Sequence, residues 1–209
     1  MAADALTIAQ VDGLCFSYPQ RSLFSHWSAR FPAGLTLVKG DESTGKTSLL
    51  RLLAGELPAD SGVLQVAGLR LDQDPLRYRT QVFRTDPRSE LAPQLSPLAW
   101  LDTLPANDRG FDRAAVAELI ERLGLREHQD KPMFMLSTGS RRKVWLLAAV
   151  VSGAPLTLID QPFAALDKAS ILAVTGLLRE LSANADRCWV VADYEPPPGL
   201  VLAQTITLD

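Results

Sequence analysis

Cysteine is scarce in this sequence. Its two residues, Cys15 and Cys188, cannot staple a small secreted fold. Both have apolar neighbours, so buried free thiols in a reducing compartment are the expectation. Excess positive charge is also missing. The formal net charge of −3 gives no global reason to expect a nucleic-acid partner. No apolar run approaches the length of a bilayer span, and Met1-Ala2-Ala3-Asp4 has no basic n-region, so no signal peptide is expected. A soluble chain follows, one that works at a membrane only if another subunit supplies the span. Internal repeats and low-complexity tracts are lacking too. What remains is ordinary globular material: 209 residues with 47% apolar content, enough for one α/β domain with a sizeable core.

Within that material one stretch carries chemistry, Gly40-Asp41-Glu42-Ser43-Thr44-Gly45-Lys46-Thr47. Leu35-Thr36-Leu37-Val38 before it is short, apolar and rich in β-formers, a buried strand by pattern. Ser48 to Ala54 after it reads as a helix. A loop between a strand and a helix N-terminus offers free backbone N–H groups and the positive end of a dipole to an anion. Gly40 and Gly45 allow close backbone approach to phosphate oxygens. Lys46 would bring a positive charge to the β and γ phosphates, and the Thr47 hydroxyl would hold Mg²⁺.

The rest of the chain reads as alternating strands and helices. Leu6 to Tyr18 is extended. Tyr18 is either a platform for an adenine ring or a tyrosine packed on the surface. Phe31 to Gly34 is a turn, Pro58 to Gly62 another, and Val63 to Gly68 a strand with its exit. Val82-Phe83 centres a short strand, and Asp86 to Pro97 is a long loop. Phe111 to Leu125 is a helix with Asp112 as its cap and Gly124 as its stop; Val116, Leu119, Ile120 and Leu123 share one face. Leu136 to Ser140 leads into a second helix whose opening cluster, Arg141-Arg142-Lys143, opposes the helix dipole. A solvated face is the ordinary reading of that cluster. Leu156 to Asp160 is a buried strand ending in an acid, at the edge where open α/β sheets place ligands. Asp167 caps a helix lined by Ile171, Val174, Leu178 and Leu181. Cys188 to Ala192 is another buried strand, and Pro196-Pro197-Pro198-Gly199 breaks the chain before a last strand, Leu200 to Leu208.

From about Leu6 onward these stretches, in this order, resemble the nucleotide-binding subunit of ATP-binding cassette (ABC) transporters. Gly40–Thr47 is similar to the Walker A loop. Leu136-Ser137-Thr138-Gly139-Ser140 resembles the signature usually written LSGGQ, Leu156–Asp160 resembles Walker B, and Ala165-Leu166-Asp167 resembles the D-loop. Tyr18 falls where the family has its adenine-stacking aromatic. The runs GKTSLLRLLAGE and PFAALDK look most like the compact ATPases of haem-export and cytochrome c maturation systems.

The resemblance implies an α/β fold of the P-loop NTPase type over 1–209, with a mixed central sheet, an antiparallel β-lobe and a helical lobe inserted at about 88–140. It implies ATP and Mg²⁺ as ligands. Asp41, Glu42, Ser43, Thr44 and Ser48 would join Gly40, Gly45, Lys46 and Thr47 around the phosphates, and Asp86 and Asp160 would join Thr47 around the metal. It implies two nucleotide-binding subunits, identical or different, closing head to tail so that Ser137 and Gly139 meet the partner's γ-phosphate. A transmembrane permease subunit would hold the pair at the cytoplasmic face of a membrane.

Departures from the family's pattern fall on the hydrolytic residues. Gln161 stands where the family has the glutamate that orients and deprotonates the attacking water. An amide can hydrogen-bond a water but has no basic lone pair at neutral pH. Asp193, or Ala192 in an alternative alignment, stands in place of the switch histidine, and Asp86 in place of the loop glutamine. Two unit charges about 4 Å apart interact by roughly 4 kcal/mol at an effective dielectric of 20, so Asp193 is expected to point away from a γ-phosphate or to act on Mg²⁺ indirectly. Gln161 is read either as a naturally weak site or as an introduced change that traps the ATP-bound state. The leading expectation is an ATPase subunit that energises a transporter, with hydrolysis weakened at Gln161. A non-hydrolysing, ATP-controlled regulatory subunit is the runner-up. A soluble ABC ATPase of translation or DNA repair would carry two cassettes or a long coiled-coil insertion, and neither is present.

Overall fold

The computed structural model describes residues 6–86, 88–89, 92–104, 110–183, 186–195 and 199–209. The expectations for Met1 to Asp4, for Pro87 within the long loop and for the break at Pro196 to Pro198 lie outside the described residues. Four strands, β1 (Thr7–Tyr18), β2 (Arg21–Pro32), β4 (Ser61–Val66) and β5 (Leu69–Arg70), form an antiparallel sheet in the order β2-β1-β4-β5. Five more, β3 (Gly34–Lys39), β6 (Val82–Arg84), β7 (Leu156–Asp160), β8 (Cys188–Asp193) and β9 (Gln204–Thr207), form a parallel sheet in the order β6-β7-β8-β3-β9. Parallel and antiparallel pairing are thus both present, one in each sheet.

The central parallel strands β3, β7 and β8 are mostly apolar because both of their faces are covered. Their period of two divides the side chains. Leu35, Leu37, Ile159, Trp189 and Val191 face one core, which is packed with α5 (Thr138–Val151) and α6 (Lys168–Ser182). Val38, Leu156, Leu158, Cys188, Val190 and Ala192 face a second core, filled by α1 (Lys46–Leu53) and the inner side of the antiparallel sheet. The described residues also form the helices α2 (Pro75–Thr80), α3 (Pro97–Leu101) and α4 (Ala115–Arg122), and short 3₁₀ turns at Arg126–His128 and Met133–Met135. Among the described residues no helix is long and apolar enough to cross a membrane.

Several expectations shift. Phe31 and Pro32 are not a turn but the last residues of β2, so the reversal into β3 rests on Ala33 and Gly34, whose φ is 97°. The helix expected from Phe111 begins only at Ala115. The backbone N–H of Asp112 bonds Val151 at the end of α5, which holds that segment out of helical register, while the Asp112 carboxylate still accepts from Ala115 N at 3.2 Å. Cys188 is buried, but Cys15 is only half-buried. Asp167 caps α6 by accepting from Ser170 N at 2.7 Å.

Candidate functional site

All five parallel strands point the same way, so their C-terminal ends share one edge. Asp160 at the end of β7 pairs with Ala192, and Lys39 at the end of β3 pairs with Asp193 of β8. The loop 40–45 leaves β3 at that edge and hands over to α1. Gly40 must lack a side chain there: a Cβ would lie 2.4 Å from Thr44 Oγ1 and 2.7 Å from the Leu208 carbonyl. Gly45 is the residue before α1, with φ of 100°, a conformation costly for any residue with a Cβ. Thr44 ties the loop to itself through the Asp41 carbonyl at 3.0 Å, and Arg21 of β2 clamps the Ser43 carbonyl at 2.8 Å. The first hydrogen bond of α1 runs from Leu49 N to Gly45, leaving the amides of Lys46, Thr47 and Ser48 without helical acceptors.

The loop borders a cleft of about 570 Å³. Tyr18, Glu42, Ser43, Gly45, Lys46, Thr47, Ser48, Asp86, Asp160 and Gln161 line it, while Gly40, Asp41 and Thr44 do not. Lys46 is 6% exposed. Its ammonium bonds the Gly40 and Asp41 carbonyls at 2.5 Å each and lies 4.5 Å from the Tyr194 ring centroid. No carboxylate pairs with it among the described residues, an arrangement that suits an anion arriving from the cleft. Thr47 Oγ1 donates to Asp160 Oδ2 at 2.6 Å. A hydroxyl beside a carboxylate suits a hard cation of the magnesium type, whose remaining ligands come from phosphates and water. Among the described residues no cluster of three His, Cys, Asp or Glu would hold a metal alone. The Asp86 carboxylate is already engaged by Arg84 Nη2 at 3.1 Å, while Arg84 Nε holds Glu56 at 2.7 Å. Tyr18, 41% exposed, sets its ring edge-on to Phe16, and its hydroxyl lies 3.2 Å from Ser48 Oγ.

Gln161 follows Asp160 with φ of 46°, sparsely populated for a residue with a side chain. Its N–H bonds Ala192 at 2.8 Å and its carbonyl accepts from Ala164, so neighbouring structure holds the strained turn at the mouth of the cleft. Asp193 does not line the cleft but borders an adjoining hollow with Phe163, Ile171 and Glu195. One of its oxygens accepts from Tyr194 N at 2.8 Å. Burial raises the Asp193 carboxyl above its ordinary value, helped by nearby Asp160 and opposed by the Tyr194 amide, Lys46 and Arg142. Ser137 and Gly139 also stand apart from the cleft. Ser137 caps α5, accepting from Ser140 N at 3.0 Å, and a Cβ on Gly139 would lie 2.7 Å from the Ala165 carbonyl.

Five cationic or aromatic cleft residues were not assigned to it from sequence: Arg21, Arg84, Arg88, Arg142 and Tyr194. Arg142 corrects the reading of 141–143 as a solvated helix face. It is 7% exposed, hydrogen-bonds the Ala164 carbonyl and turns toward the cleft. Its placement against the helix dipole was the one signal of this in the sequence.

The sequence profile described as ABC transporter matches residues 29–164. The cytochrome c biogenesis ATP-binding export protein CcmA of Methylococcus capsulatus is 32% identical over 88% of this chain and 86% of its own. The protein of that name from Legionella pneumophila (strain Paris) is 33% identical, over 87% of this chain and 95% of its own. A solved structure described as the ATP-binding subunit of an ABC transporter superposes with a TM-score of 0.77 at 20% identity, covering 90% of this chain and 80% of that one.

Proposed function

The chain belongs to the ABC transporter family, whose ATP-binding subunits hydrolyse ATP, and from that premise we propose that it binds MgATP in the cleft at Gly40–Thr47, closes head to tail on a second nucleotide-binding subunit, and energises export through a membrane permease, with hydrolysis slowed at Gln161. The observation that carries this reading is the buried, carboxylate-free Lys46 beside the Thr47–Asp160 pair. Lys46 and the first amides of α1 neutralise the phosphate chain, and Thr47 with Asp160 holds Mg²⁺, which screens the charge that develops during phosphoryl transfer. Asp86 reaches the metal only by releasing Arg84. Tyr18 stacks on the adenine. Gln161 orients a water without taking its proton. Likeness to the two export proteins of cytochrome c biogenesis favours a cargo of that route and a seat on the cytoplasmic face of a membrane, reached through the permease. Asp193 at the second altered position favours one other reading, a subunit that uses ATP only to control closure.

Calorimetric titration of MgATP into the wild-type protein and Lys46→Ala tests the site. Lys46→Ala is expected to lose a charge-assisted contact of about 1.5–3 kcal/mol, more than tenfold in affinity. Equal affinity in the two proteins removes the basis of the reading. Steady-state phosphate release with and without the permease then separates an energising subunit from an ATP-controlled one.

A further inference from the structure

The cations of the cleft are not equivalent. Arg84 is neutralised by Glu56 and Asp86. Arg21 is bonded to the Ser43 carbonyl, and Lys46 to two loop carbonyls. Arg142, like Lys46, is buried without a carboxylate partner, but unlike the other three it keeps a buried donor without an acceptor. It is more than nine-tenths buried, faces the cleft, and has no ion-pair partner within 4 Å among the described residues. One corner of its guanidinium bonds the Ala164 carbonyl, while its Nε is buried without an acceptor. Arg88, on the exposed side of the same cleft, is close enough to repel it, and Asp160 and Asp193 attract it. A buried guanidinium with an unused donor, near a second guanidinium in the same cleft, is an arrangement that an anion between them stabilises.

We propose that Arg142, assisted by Arg88, binds the terminal phosphate of the nucleotide held by its own chain, so that the cleft selects a triphosphate over a diphosphate. This rests on the reading of the cleft as a nucleotide site. Arg142 belongs to the helix that Ser137 caps, but unlike Ser137 it lines the cleft, bonded to the turn that begins at Gln161. A guanidinium presents several donors in a fixed plane, which suits the three terminal oxygens of a γ-phosphate and leaves an ADP, which lacks them, without that contact. The pair therefore acts at the reactive end of the cleft, beside Asp160 and Gln161, and not at the adenine end near Tyr18.

The test is calorimetric titration of MgATP and MgADP into wild type, Arg142→Ala, Arg142→Lys and Arg88→Ala, with a thermal melt of each. Arg142→Ala is expected to weaken MgATP by about tenfold or more while MgADP stays within about twofold. Arg142→Lys, which keeps the charge, is expected to recover part of the loss, and Arg88→Ala to lower the ATP-to-ADP preference about threefold. Equal losses for both nucleotides mean that Arg142 only holds the Ala164 turn, and overturn the proposal; so does no change. Should Arg142→Ala fail to melt cooperatively, Arg88→Ala decides, since its position is exposed and an unchanged preference there also overturns the proposal. A wild-type protein that binds neither nucleotide instead overturns the assignment of the cleft itself.

Discussion

Gln161 joins strain and chemistry in one residue. Its φ of 46° is held from both sides by backbone bonds to Ala192 and Ala164, so a side chain of similar size and shape inherits the same aim. Gln161→Glu therefore places a carboxylate next to Asp160 with little rearrangement. The neighbouring negative charge would raise its pKa toward the working pH, which suits a general base. The expected gain in single-turnover ATP hydrolysis is about 10²–10⁴-fold. A gain well below that range points to Asp193 as the second defect, and adding Asp193→His is then expected to raise the rate further. If neither variant exceeds the wild type, ATP-controlled closure becomes the better reading. Asp193 makes a separate prediction about stability. Its carboxyl is raised above the ordinary value by burial first and by Asp160 after it. An acid raised on folding binds its proton more tightly in the native chain, so its favourable contribution is complete below the unfolded carboxylate pKa. That contribution is lost as pH rises through the folded value. Asp193→Asn, which keeps the shape without the charge, is expected to raise the urea midpoint at pH 7.5 and leave it nearly unchanged at pH 4. A loss of stability at pH 7.5 would mean that Lys46 and Arg142 compensate the buried charge in full.

At the scale of elements, the parallel sheet accounts for what the two thiols do. Cys188 opens β8, fully buried between β3 and β7, and that burial pushes its thiol up to about 12, slightly offset by Thr36. Cys15 lies on half-exposed β1. A maleimide at pH 7.5 is expected to label one thiol per native chain, Cys15, and two in denaturant, read by mass spectrometry of the peptides. Labelling of Cys188 without denaturant would mean that β8 opens locally. The same contrast sets what the sequence made legible. Strands β3, β7 and β8 are buried on both faces, so apolarity alone marked them. Strand β2 buries little beyond Phe24 and Phe31, and no apolar run announces it. The six-residue α2 is begun by Asp74 and Pro75, with only Tyr78 buried, and is too short for a period to emerge. Of the site, the phosphate loop and Asp160 were legible because their chemistry is contiguous in the chain. Arg142 and Tyr194 were not, because the parallel register of β7 and β8 and the packing of α5 bring them to the cleft, and the one local signal, the place of Arg142 against the α5 dipole, does not say what it faces.

For the whole molecule, the positions of Ser137 and Gly139 matter most. Both lie outside the cleft that holds Lys46, Thr47 and Asp160, and Ser137 is exposed at the start of α5. Its hydroxyl caps that helix, and under the proposed closure this end, with its neighbouring amides, serves a phosphate that the chain's own loop does not hold. A second copy, or a related subunit, turned head to tail is the arrangement that brings such an end to a phosphate loop across an interface. Under the proposed closure, MgATP is the bond between the two subunits, and each nucleotide is completed only when the partner arrives. Ser137→Arg is then expected to abolish MgATP-dependent dimerisation in sedimentation velocity, because a bulky cation at the interface would face the partner's Lys46. Single-chain affinity for MgATP should stay within about twofold, since the residue does not line its own cleft, and loss of the cap should cost about 1 kcal/mol of stability. A variant that binds MgATP more weakly as a monomer would place Ser137 at its own nucleotide. Dimerisation equal to wild type would remove the head-to-tail arrangement and leave a cassette that works, if it works in pairs at all, through some other face.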